Sequence, residues 1–144
     1  MILIVDYNII FAGILRDSVV RELLIDSPFR LYAPEALTFE IYKYKSEIIR
    51  RSELSEQDFE TLFRLLTEKI VLFPKEKYAH KLKEAYALIG HIDAGDVPFL
   101  ALALSIPNDG IWTENVKHFG KQNKIKIFTN LDVIKLKDDK FKLE

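Results

Sequence analysis

Asp6, Glu40, Asp96 and the neighbours Glu114 and Asn115 are the residues whose types and positions can do chemistry together. Asp6 closes the apolar run Ile2-Leu3-Ile4-Val5, and Asp96 stands where Asp93-Ala94-Gly95-Asp96 opens an apolar stretch. Glu114 and Asn115 directly follow Ile111-Trp112-Thr113, and Glu40 lies a turn or two into the segment after Ala33-Pro34. Carboxylates gathered in one cleft repel one another and lose hydration, so each resists ionisation unless a cation joins them. A ligand set of oxygens, in a chain with no cysteine, suits Mg²⁺ or Mn²⁺ better than zinc. An ion held by a few carboxylates can activate water and neutralise charge on a phosphodiester.

Such a cleft needs strands that deliver the acids to one edge. Ile2 to Val5, Phe29 to Tyr32, Ile70 to Phe73, Ile111 to Thr113 and Ile125 to Thr129 read as strands. The unbroken apolar runs among them have the character of strands buried on both faces of a parallel sheet. Between them lie helical segments: one beginning at Ile9 with Asn8 as its cap, Ser18 to Ile25, and Leu37 to Ile49. Further helices follow Ser55, line up Tyr78 to Ile89, run from Phe99 to Ile106, and close the chain from Leu131 to Leu136. Alternation of this kind predicts an α/β domain of three layers, with a central, mostly parallel sheet of about five strands, spanning residues 1–144 as one unit. Ligands of open parallel sheets bind at the carboxyl ends of the strands, which is where Asp6, Glu114 and Asn115 fall.

The 144 residues suffice for one domain with a sizeable core. A formal net charge of −1 gives no global basic field, so any nucleic-acid contact must come from a local patch. The start MILIVDYN lacks a basic leader, and no apolar run is long enough to span a bilayer, so a cytoplasmic protein is expected.

The motifs taken in order resemble those of PIN domains. Ile4-Val5-Asp6-Tyr7-Asn8 resembles the family's opening strand and Asp-x-Asn element, and Glu40 in Thr38-Phe39-Glu40-Ile41 matches the second acid. DAGDVPFLALAL, from Asp93 to Leu104, resembles the third acidic motif with Asp96 in the acid position. IWTEN resembles the strand that normally ends in Thr-x-Asp, with Asn115 where the fourth acid is usual. The likeness runs from residue 2 to about residue 129.

The resemblance implies a three-layer fold and metal-dependent hydrolysis of RNA, in some members as the toxin of a toxin–antitoxin pair. By carry-over Asp6 and Asp96 are metal ligands, and Glu40 binds the metal or orients its water. Asn8 donates to Asp6 or caps the first helix. An amide at Asn115 can coordinate without adding charge, or can serve as a helix cap, so a second metal is bound more weakly. Thr113 positions metal or phosphate or pairs with backbone, Glu114 either substitutes for the missing acid from one residue away, where the shift turns its side chain elsewhere, or supports the acids from beside them, and Asp93 is a cap or turn residue that can reach outer-sphere water.

Arg16, Lys43 and Lys117 are the leading cations for RNA, with Lys45, Arg50, Arg51 and Lys121 as further candidates whose simpler reading is a solvated face. His80, His91 and His118 show no metal-ligand spacing and read as structural or solvated, and Trp112 reads as core. The rival expectation is a PIN-like module that binds RNA or protein without cutting. A receiver domain or a dehalogenase-like phosphatase fits less well, because Tyr7-Asn8 follows Asp6. The apolar character of Leu37 to Ile49 and Phe59 to Leu66 also allows a homodimer.

Overall fold

A computed structural model describes residues 1–15 and 18–143, with side chains as far as residue 139. Arg16, one of the cations expected to face RNA, lies outside the described residues.

Five strands form one all-parallel sheet in the order β3-β2-β1-β4-β5. They are β1 (Ile2–Val5), β2 (Arg30–Pro34), β3 (Ile70–Phe73), β4 (Gly110–Trp112) and β5 (Ile127–Phe128). The helices that flank the sheet are α1 (Tyr7–Leu15), α2 (Ser18–Ile25), α3 (Ala36–Lys43), α4 (Lys45–Ser52), α5 (Glu56–Thr67), α6 (Leu82–Ala85), α7 (Val97–Ser105), α8 (Val116–Phe119) and α9 (Asn130–Leu143). The chain lays β2 and β3 to one side of β1, then returns to place β4 and β5 on the other. The strand order therefore reverses between β1 and β4, and at such a point the connections leave in opposite directions and open a crevice.

The apolar run of β1 is buried on both faces, with Leu3, Ile4 and Val5 fully enclosed, as its composition predicts. It pairs with β2 from Ile2 to Ile4 and with β4 from Leu3 to Val5. Asp6 prolongs the second pairing, its amide donating to the Trp112 carbonyl at 3.1 Å. α7 is apolar nearly all round, burying Val97, Phe99, Leu100, Ala101, Leu102 and Ala103, and it packs on β1, β2 and β4. α1 packs instead with α2, α4 and α5.

Several boundaries differ from the sequence reading. α1 starts at Tyr7 and not Ile9, because Asp6 rather than Asn8 sits at its entry and accepts the Tyr7 amide at 2.8 Å. β2 extends to Pro34, which pairs with Phe73 at the strand end, where a missing amide costs nothing. The helix expected from Leu37 to Ile49 breaks at Tyr44 into α3 and α4. Tyr78 to Ile89 is not one helix but 3-10 turns, the short α6 and a π-helical turn at Tyr86–Gly90. β3 is an edge strand with Val71 and Leu72 exposed, so its apolar run does not mark burial on both faces. Ser55 does cap α5, accepting the Asp58 amide at 3.0 Å.

Candidate metal centre

The carboxyl ends of β1 and β4 meet at the crevice, and three of the four buried polar or charged residues among those described, Asp6, Asp96 and Thr113, collect there. Asp6 and Asp96 are both fully buried, as is Thr113. Asp6 is held by short local bonds. Its Oδ1 accepts the Tyr7 amide, and its Oδ2 accepts the Thr113 hydroxyl at 2.7 Å. Thr113 Oγ1 in turn accepts the Asn115 amide at 2.9 Å and the Asn8 side-chain amide at 3.4 Å. Asn8 therefore reaches Asp6 through Thr113, neither donating to it directly nor capping α1.

Asp96 arrives from the other side, at the end of the 3-10 turn Ala94–Asp96 that leads into α7. Asp93 caps that turn by accepting the Gly95 amide at 2.9 Å. Asp96 makes no side-chain cap bond; its Oδ2 lies 2.6 Å from His118 Nδ1. Glu40 leans in from α3, half-buried. A methyl group at Gly95 would sit 3.2 Å from Asp93 Oδ1 and 3.4 Å from Glu40 Oε2, so glycine keeps a space open between those two carboxylates.

The electrostatics follow from this crowding. Burial, with the charges of Asp96 and Asp93, pushes the Asp6 carboxyl up to about 7 against the opposing bonds from Thr113 and Tyr7. Burial also raises Asp96 to about 6, with His118 opposing and Asp93 and Glu40 adding to the rise. Glu40 is raised chiefly by desolvation, partly offset by Lys43. The Tyr7 hydroxyl is pushed up to about 12 by burial and then by Asp6, Asp93, Asp96 and Glu40. One phenol thus senses four carboxylates converging from three parts of the chain.

A divalent cation fits this site. Asp96 Oδ1 and Asn8 Oδ1 are buried with no hydrogen-bond partner among the described residues, and an orphaned acceptor beside a cluster of acids is relieved by a positive ion. Asp93, Asp96 and His118 each offer a ligand atom, and these atoms all lie within 4.8 Å of one another. His118 is the residue the sequence reading missed. Its spacing to the other histidines is uninformative; the telling interval is one helical turn after Asn115, beyond the end of β4.

Other expected residues stand apart. Glu114 is exposed and accepts the Asn130 amide at 2.6 Å, so it starts α9 rather than supporting the acids. Asn115 is half-buried, and its side chain makes no cap bond; its Nδ2 lies 2.7 Å from His118 Nδ1. Lys43 is exposed but close enough to Glu40 to favour its ionised form. Lys117 is exposed on α8. Lys45 is committed to Glu56 and Glu60 at 3.1 and 2.8 Å, Arg50 lies 3.8 Å from Glu47, and Arg51 covers the Phe11 ring. His80 and His91 are exposed, and Trp112 is buried with its indole donating to Asn130.

Two grooves border the acids. One, of about 370 Å³, is lined by Phe39, Tyr78, Tyr86, Ala94, Val97 and Lys75 among others, and Phe39 is 72% exposed. The other is lined by Tyr7, Asn8, Phe11, Tyr44 and Glu47. No helix among the described residues is long and apolar enough to cross a membrane.

A protein-family model described as PIN domain matches residues 4–133 of this chain. No curated protein matches it.

Proposed function

Because the chain belongs to the PIN-domain family, whose fold is of the nuclease type, we propose that it is a divalent-metal-dependent endoribonuclease that hydrolyses RNA phosphodiester bonds. The observation that carries this reading is the pair of fully buried carboxylates, Asp6 and Asp96, at the β1/β4 reversal with an acceptor oxygen left over.

Asp6, Asp96 and Glu40 are the residues that would hold Mg²⁺ or Mn²⁺. The ion, when bound, supplies Lewis acidity and a water of lowered pKa. The protein's own contribution is to fix the carboxylates. Thr113 and the Tyr7 amide lock both oxygens of Asp6, and Asn8 steadies Thr113. Glu40, desolvated and raised in pKa, is suited to orient or deprotonate a water. Exposed Lys43 and Lys117 would meet phosphates by charge. The grooves on either side, with exposed Phe39, Tyr86 and Tyr44, suit unpaired bases, which stack on aromatic faces regardless of sequence. That favours single-stranded RNA.

The finer reading is a cytoplasmic toxin whose antitoxin covers the same grooves. Exposed Tyr42 and Leu65 offer a surface for a second copy. A second reading, a module that holds RNA or protein without cutting, is favoured by one observation: Asn115 supplies an uncharged amide where the family usually has an acid.

Incubation of a mixed single-stranded RNA pool with the protein in Mn²⁺, Mg²⁺ or EDTA separates the two. Cleavage in metal, absent in EDTA and reduced on the order of a thousandfold in Asp96→Asn, is expected. A folded protein that retains RNA but cuts with neither metal overturns the nuclease in favour of the binding module.

A further inference from the structure

The carboxylates so far assigned leave His118 without a role, although it lies against one of them. Nδ1 lies 2.6 Å from Asp96 Oδ2, an acceptor, and 2.7 Å from Asn115 Nδ2, a donor. Asp96 Oδ1 meanwhile is buried and unpartnered, and Asp93 brings a further oxygen within 4.8 Å of both. A lone pair on nitrogen and two carboxylates, one of them with an orphaned buried oxygen, together make the donor set of a mixed nitrogen–oxygen metal position.

We propose that His118 is a metal ligand, which with Asp96 and Asp93 forms a nitrogen-containing position that stands in for the acid absent at residue 115 and selects a first-row transition ion over Mg²⁺. The inference rests on the metal-dependent reading above and deepens it. Mg²⁺ is hard, keeps its waters and takes oxygen donors. Imidazole binds first-row transition ions far better, because a softer nitrogen donor gains from their d-shell character. Replacing an anionic oxygen by a neutral nitrogen therefore lowers the site's hold on Mg²⁺ more than on a transition ion.

The test uses untagged full-length protein with Mn²⁺ as the probe. Mn²⁺ affinity is read from the loss of the free-ion resonance, and the ligand set from nitrogen modulation in pulsed electron paramagnetic resonance. Bound Mn²⁺ carrying the coupling of a directly bonded imidazole is expected. His118→Gln should remove that coupling and weaken Mn²⁺ binding by about tenfold or more while changing Mg²⁺ binding less, and exposed His91→Gln should leave both unchanged. Asn115→Asp should narrow the preference for Mn²⁺ over Mg²⁺ by restoring an oxygen anion. Mn²⁺ bound with no nitrogen coupling in the wild type overturns the role of His118 and leaves the metallonuclease reading standing. No binding of Mn²⁺ or Mg²⁺ overturns both.

Discussion

Thr113 controls more of the site than any single acid. Its hydroxyl hydrogen goes to Asp6, and its oxygen receives the amides of Asn115 and Asn8. Thr113→Val keeps the shape and deletes these bonds, leaving a buried carboxylate oxygen with one partner fewer. The expected cost is about 1–3 kcal/mol of stability and a 10- to 100-fold loss of Mn²⁺ affinity, read by thermal melting and metal titration. Unchanged affinity would mean Asp6 is positioned by backbone alone. At this scale the sequence was legible where a residue's place follows from the strand before it. Asp6 and Thr113 lie at the ends of β1 and β4, so their meeting follows from the sheet. Side-chain direction over short loops was not legible. Glu114 and Asn115 are adjacent, yet one starts α9 and the other turns to His118, a difference set by the backbone turn after Trp112. Asn8 does not cap α1, which begins one residue before it, and it supports Asp6 through Thr113 rather than directly.

The pairing of β4 with β5 rests on a glycine. Gly110 has φ +148°, and a Cβ there would fall 2.4 Å from the Lys126 carbonyl and 2.6 Å from the Phe128 ring. Gly110→Ala combines a forbidden backbone region with a clash against main chain. It should cost on the order of 3 kcal/mol, seen as a lower denaturation midpoint at unchanged slope. The Ile111 and Thr113 amides donate to Lys126 and Phe128 carbonyls, so the shift would also disturb the metal centre. The strands were readable from their apolar runs, and α2 from Ser18 to Ile25. The region from Tyr78 to Gly90 was not. Its helical spacing of apolar residues is real, but the turns there are tightened and then widened to carry the chain from the edge of the sheet back to α7. Periodicity reports which residues face the core and not how many atoms close each turn. A run of apolar residues likewise cannot tell the enclosed β1 from the edge strand β3, because exposure is decided by the neighbour a strand finds.

For the molecule as a whole, the buried acids set how stability varies with pH. Asp6 and Asp96 have carboxyls near 7 and 6 in the fold against 3.8 in an unperturbed chain, so the folded state holds protons more tightly than the unfolded one. Their contribution favours folding fully below about pH 4 and is lost as pH rises through about 6 to 7. In EDTA the melting temperature should therefore fall between about pH 5 and pH 8. Asp6→Asn, whose amide does not titrate, should flatten that slope. With Mn²⁺ present the slope should reverse in the wild type, because ligands bind only when deprotonated. A pH-independent melting temperature in EDTA would remove the account in which burial, with neighbouring charges, raises these carboxyls. The bond between Thr113 and Asp6 joins residues 107 apart in the chain, and this separation bears on timing as well as on energy. While the chain is being synthesised, β1, β2 and β3 can assemble from the earlier half, but Asp6 then has neither its hydroxyl donor nor His118 across the crevice. Long-range contacts of this kind form late, after the loop between them has closed. Asp6 therefore meets Thr113, and Asp96 meets His118, only once β4 and the segment after it have joined the sheet, so the acidic cluster is among the last parts of the fold to be assembled.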